Sequence, residues 1–173
     1  MSAAPRSMRE RFPVALTLLA LLLMLILGNM PGRAAEAVPP SAAPALEASS
    51  PIGLWQTFDD KTGQPRAVVE IYAENGRLFG RIQQSFKPGA EQRRCTVCSD
   101  ERKDQPVIGL VIIRNLKPSG DEWSGGDILD PDNGWVYRCK LKVDPDGRLE
   151  VRGYLGFSLL GRTQFWRRWK PAA

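Results

Sequence analysis

Beyond residue 51, short runs of apolar, β-branched and aromatic residues alternate with tight polar turns. "DDKTGQP", "ENG", "KPSGD", "DPDNG" and "DPDG" are turn signals. Between them lie "GLWQTF", "AVVEIYA", "RLFGRIQQSF", "VIGLVIIRNL", "EWSGGDILD", "WVYRCKLKV", "RLEVRGYL" and "GRTQFWRRW". Asn75-Gly76 between the second and third segments is the strongest short hairpin signal. In "WVYRCKLKV", Trp135, Tyr137, Cys139, Leu141 and Val143 share one face, and Val136, Arg138, Lys140 and Lys142 the other, the period of a half-buried strand. "VIGLVIIRNL" is almost wholly apolar and predicts a buried strand. The pattern predicts an all-β domain of about eight antiparallel strands with no amphipathic helix. A meander of sequential hairpins favours an up-and-down barrel, which closes its own edges. A β-sandwich is the competing architecture.

The first 51 residues follow a different pattern. Arg6, Arg9 and Arg11 precede an apolar run, "VALTLLALLLMLIL", that is short for a bilayer span. Ala35-Glu36-Ala37 has the small-x-small form of a signal peptidase site. Residues 1–37 are therefore expected to be a signal peptide, with an uncleaved anchor as the alternative. Residues 38–51, rich in Pro, Ala and Ser, read as a linker. The barrel domain occupies 52–170. Export to the periplasm or beyond follows, with no stable membrane span after cleavage.

Charge changes the picture little. From position 38 onward, 20 Lys and Arg face 17 Asp and Glu, a net +3 scattered along the chain, which does not point to nucleic acid. The chain has no histidine. This excludes Ser-His-Asp and Cys-His nucleophile systems, H-E-x-x-H metalloproteases and covalent haem attachment. The expectation is a non-enzyme without cofactor or metal.

Cys95, Cys98 and Cys139 are too few for a thiolate zinc site, and an oxidising compartment favours one disulfide and one thiol. A bridge from Cys139 to Cys95 or Cys98 closes a loop of roughly 40 to 45 residues and contributes about 4 kcal/mol, against about 2 for Cys95 to Cys98. The long bridge is the expectation. The alternatives are the short bridge and thiol-disulfide oxidoreductase or metal chemistry.

Gly53-x-Trp55 opens the first strand and Gly161-Arg162 the last. First and last strands of a barrel are neighbours, so Arg162 is expected to stack on Trp55 as the barrel floor, a cation–π contact of about 0.5 to 2 kcal/mol. "GLWQTFDD", "GLVIIRNLK", "EWSGGDILDPDNGWVYRCKLKV" and "LEVRGYLGFSLLGRTQFW" resemble the bacterial family called domain of unknown function 2147, from about Pro51 to Trp169. The resemblance implies an exported protein with a lipocalin-like barrel. It implies no activity and no family site residues.

A pocket must therefore be argued from chemistry. Asp127, Arg152 and Tyr137 are candidate lining residues, and an inward arginine in an apolar cup would suit a fatty-acid-like carboxylate. Asp127 with Asp130 could bind calcium or act as acid and base, although Asp130, Asn133 and Gly134 are also ordinary turn residues. "FWRRWK" could rest on an anionic membrane, although strand alternation also accounts for it. The favoured function is an exported binding protein for a small lipophilic or carboxylate-bearing molecule. The alternatives are a packed barrel acting through its surface in envelope assembly or host contact, its protein partner unnamed, and the thiol oxidoreductase. Trp135, Tyr137, Phe79 and Trp166 could fill the interior and leave no cavity.

Overall fold

The computed structural model describes residues 49–171, so the expected signal peptide and most of the linker lie outside the described residues. Each apolar segment forms a strand: β1 (Gly53–Phe58), β2 (Pro65–Glu74), β3 (Arg77–Ser85), β4 (Val111–Ser119), β5 (Glu122–Asp130), β6 (Trp135–Val143), β7 (Leu149–Tyr154) and β8 (Gly161–Arg168). They pair antiparallel in chain order, and β8 returns to β1 to close the barrel. Closure is in register at Trp55 with Arg168 and Gln56 with Arg167. The expected strand from Val107 begins only at Val111, because Gly109 turns the chain at φ 88. Val107 and Leu110 are nonetheless buried.

The two ends of the barrel differ. One carries the tight turns after β2, β4 and β6, together with the start of β1 and the end of β8. Trp55, Ile71, Leu78, Ile113, Leu116, Leu141 and Leu149 pack that half solid, each at 1% exposure or less. Burying each such side chain contributes about 1.5 to 3 kcal/mol. The Trp55 indole N–H donates to the Pro51 carbonyl at 2.7 Å.

The cation over the Trp55 ring is Arg168, at 4.1 Å from the ring centroid, not the expected Arg162. The strand count explains the correction. In an even-numbered meander the first strand begins and the last strand ends at the same end of the barrel. Arg162 opens β8 opposite Gly153, roughly 20 Å away at the strand rise of about 3.3 Å per residue. Arg168 also donates to the carbonyls of Ile52, at 2.6 Å, and Ser50, tying the segment before β1 to the last strand.

At the other end, the long β3–β4 connection folds over the turn between β5 and β6. Gly134 sits so close to Val97 that an added Cβ would fall 2.0 Å from the Val97 carbonyl oxygen. Arg94 bridges to Pro106, and the Cys95 N–H donates to Gln105 O at 2.9 Å. Within this loop the disulfide joins Cys95 to Cys98, and Cys139 is a free, buried thiol. The expected long bridge is therefore corrected. Cys139 lies on the inward face of β6 with Tyr137 and Leu141, whereas Cys95 turns to the Pro131 carbonyl at the rim, with 3.8 Å from Sγ to O. Loop entropy favours the longer closure, but the positions of the side chains decide the pairing.

Trp135 is exposed at the rim rather than inside, and Phe79 stacks with Tyr72 at 5.8 Å. In "FWRRW", Trp166 is buried and Phe165 exposed, as alternation requires.

In chemical denaturation, Trp55→Ala is expected to cost about 3 to 5 kcal/mol. Arg168→Ala is expected to cost about 1 to 2 kcal/mol, and Arg162→Ala within about 0.5 kcal/mol of zero. A wild-type midpoint for Trp55→Ala would refute this closed end. Non-reduced peptide mapping should return a linked Cys95–Cys98 peptide, with Cys139 alkylated only after unfolding.

Candidate functional site

Packing stops halfway up the barrel. Above Trp166 and Val151 the interior opens into a cavity of about 370 Å³, within the range of about 300 to 1,000 Å³ typical of small-molecule sites. Its lower wall is apolar: Val69, Ile82, Ile112, Ile128, Val151 and Trp166. Gly153 lines it without a side chain, so β7 contributes space where a larger residue would contribute volume. The mouth is ringed by Thr57, Arg66, Asn133, Tyr137, Tyr154, Arg162 and Gln164, with Leu155 and Leu160 from the β7–β8 loop.

The charged groups at the mouth, and Gln164, are already paired. The Trp166 indole N–H donates to Gln164 Oε1 at 3.1 Å, Gln164 Nε2 donates to Asp60 Oδ1 at 2.7 Å, and Asp60 pairs with Arg162. This chain satisfies the one polar atom of a buried tryptophan and carries its connection up the β8 wall to the rim. Across the mouth, Arg66 reaches Asp130 at 3.2 Å and also pairs with Asp132. Asp132 is further held by Lys87 and by Arg93 at 2.8 Å, so one carboxylate joins β2, the β3–β4 loop and the β5–β6 turn.

These pairings shift two carboxyl groups. The Arg102 guanidinium, 5% exposed, hydrogen-bonds Asp100 and brings it down to about 2. Burial works to raise Asp132, but hydrogen bonds from Lys87 and Arg93 and the Arg66 charge outweigh it and leave it below its usual value. Deep in the barrel, burial pushes the Cys139 thiol far up, which removes its nucleophilic form.

The sequence-derived candidates fall in different places. Tyr137 lines the cavity, its ring 6.4 Å from that of Trp135. Arg162 stands at the mouth, and Trp55 at the packed end. Asp127 does not line the cavity. It pairs with Arg114 at 3.2 Å and Arg102 at 3.8 Å. Arg152 also lies outside, because β7 alternates and Val151 and Gly153 take the inward positions. It donates to Ser158 O and Thr163 Oγ1, both at 2.8 Å. Cys95 and Cys98 are 0% and 2% exposed, which leaves no path for an attacking thiolate.

Arg66 and Gln164 are functional positions that the sequence reading missed. Gln164 was accessible to it, since it shares the inward face of β8 with Trp166. Arg66 was not: counting alternation back from Ile71 and Val69 turns it outward. Opposite β1 the register slips between Thr57 and Phe58, so that Arg66 is the extra residue of β2 between Pro65 and Ala67, and this bulge brings it to the mouth.

Asp100 and Asp132 have depressed values in the folded state, so their contribution is present above about pH 4 and is lost as pH falls toward the folded values. Acidification from about pH 5 should open the β3–β4 loop to proteolysis at Arg93 and Arg94. Asp132→Asn should open it already at neutral pH, because three cations then lose their shared counter-ion. Equal cleavage of wild type and variant at neutral pH would rule this role out.

Residues 53–168 match the family described as "Uncharacterized protein conserved in bacteria (DUF2147)". Among solved structures, protein HP1028 from the human pathogen Helicobacter pylori, described as belonging to the lipocalin family, is similar with a TM-score of 0.62 and 17% sequence identity. The similarity covers 71% of this chain and 85% of that one, and at this identity it is a likeness of fold. No curated protein matches the chain.

Proposed function

Because the chain belongs to the bacterial DUF2147 family and closes as a lipocalin-like barrel, we propose that it is an exported, non-catalytic carrier of a small lipophilic molecule with a polar or carboxylate head. The observation that carries this reading is the half-filled barrel, with an apolar-walled cavity of about 370 Å³ opening at a mouth that holds Arg66, Arg162 and Tyr137. The cargo's apolar part lies between Val69, Ile82, Val151 and Trp166, and its head stays among the polar groups of the mouth. Magnitudes divide the work. Eight buried methylenes contribute about 6 kcal/mol, whereas one hydrogen bond to a charged group contributes about 1.5 to 3. The tail sets affinity and the head sets orientation.

The absence of histidine, which removes the Ser-His-Asp and Cys-His nucleophile systems, supports a non-catalytic role. The Cys95–Cys98 disulfide and the N-terminal basic and apolar pattern support export.

Native mass spectrometry of protein purified from its own envelope should show an adduct of small-molecule mass that is lost on denaturation. Gly153→Leu tests the location. The glycine Cβ position meets Ile128 and Tyr137 at ordinary contact distances of 3.5 and 3.6 Å, so a side chain there is tolerated and fills the cavity. The variant should lose the adduct and weaken uptake of a fluorescent fatty acid at least about tenfold, with the melting temperature kept. A bare wild-type chain that also takes up no probe would overturn the carrier reading in favour of a barrel acting through its surface.

A further inference from the structure

The β7–β8 loop presents an apolar lip beside the cavity. In "LGFSLL", Phe157 is 81% exposed, Leu159 89%, Leu160 73% and Leu155 47%. The turn that displays them is held. Leu160 N–H donates to Phe157 O at 3.0 Å, and Arg152 hydrogen-bonds the Ser158 carbonyl. Trp135, 58% exposed, and Val136, 38% exposed, stand on the neighbouring strand β6, beyond the Arg138–Tyr154 pair and therefore level with the lip. Scattered apolar residues on a surface need no explanation, but a contiguous group held outward does.

Two further observations define what such a group meets. The lip is continuous with the cavity, because Leu155 and Leu160 are at once exposed and part of its lining. Its base is cationic: Arg138 and Arg152 stand on the outer faces of the adjacent strands β6 and β7, and Arg152 is bound by neutral acceptors that leave its charge uncancelled. Apolar side chains projecting past a basic collar, with an exposed tryptophan at the same level, match the layers of an anionic bilayer: acyl chains, interface and phosphate.

Resting on the carrier reading, we propose that Phe157 and Leu159 insert into the acyl layer of an anionic lipid membrane and that cargo passes between that layer and the cavity along Leu155 and Leu160. The mouth then reaches the membrane directly, and a water-insoluble cargo does not cross bulk water.

The test uses the full chain carrying an environment-sensitive fluorophore on Leu159→Cys, against the same label on Asp146→Cys in the turn at the packed end. Both proteins share the N-terminal apolar segment, and the Asp146 label, at the end where the described chain begins, reports any vesicle effect that comes through that segment alone. Vesicles of phosphatidylglycerol and phosphatidylethanolamine in equal parts should shift the Leu159 label to the blue, leave the Asp146 label unchanged, and lose their effect in phosphatidylcholine alone at high salt. Transfer of a fluorescent fatty acid from these vesicles should slow about tenfold in Phe157→Ser/Leu159→Ser, with uptake from water unchanged. No shift, or equal shifts at both positions, overturns the proposal. A blue shift that grows with protein concentration without vesicles overturns it in favour of a second copy on the lip. A lip-specific shift without fatty-acid uptake by wild type refutes the carrier reading, and with it the passage of cargo, while keeping membrane insertion.

Discussion

An eight-stranded barrel leaves an interior only wide enough for side chains or for one small ligand, and nearly everything else in this protein depends on that limit. Closure of β1 on β8 removes both sheet edges and fixes the interior volume. What remains variable is how side chains divide it. In the half where the described chain enters and leaves, a tryptophan, leucines and isoleucines from successive strands fill the space. In the other half, small or short residues such as Gly153, Thr57 and Val69 leave it open. The floor of the cavity is the top of a packed core, so stability and binding volume draw on the same column of space. A change that enlarges the cavity from below removes contacts that hold the barrel together.

The mouth follows a different rule. Its charged residues come from segments far apart in sequence, and each meets a partner of opposite charge: Arg66 with Asp130 and Asp132, and Asp60 with Arg162. Such partly exposed pairs contribute modestly to stability. Their stronger effect is positional, because a guanidinium clamped by a carboxylate keeps its orientation whether or not a ligand is present. The Gln164 side chain extends this order downward to Trp166.

The fold was largely legible in the sequence because strands, turns and alternation are local. Asn75-Gly76, the "DPDNG" and "DPDG" turns, and the period-two face of "WVYRCKLKV" each predict an element that the structure contains. The site was legible only where alternation is unbroken. Tyr137 belongs to such a stretch, and Arg66 lies in a bulge that no local pattern announces. Arg162 and Arg168 show a different failure. Both lie at inward positions of the last strand, and choosing between them requires the direction of that strand relative to β1, which follows from counting strands. Cys139 was misjudged because loop entropy concerns the unfolded chain, whereas pairing is decided by which way a side chain faces in the folded one.

The anchoring of Arg168 to the carbonyls of Ser50 and Ile52 also gives the barrel a polarity. The described chain enters and leaves at the packed end, opposite the mouth. For a biosensor, this means that attachment at either end of the described chain to a bead, an electrode or a fused reporter holds the barrel by its packed end. The opening then faces the sample, and no part of the linkage competes with what enters it.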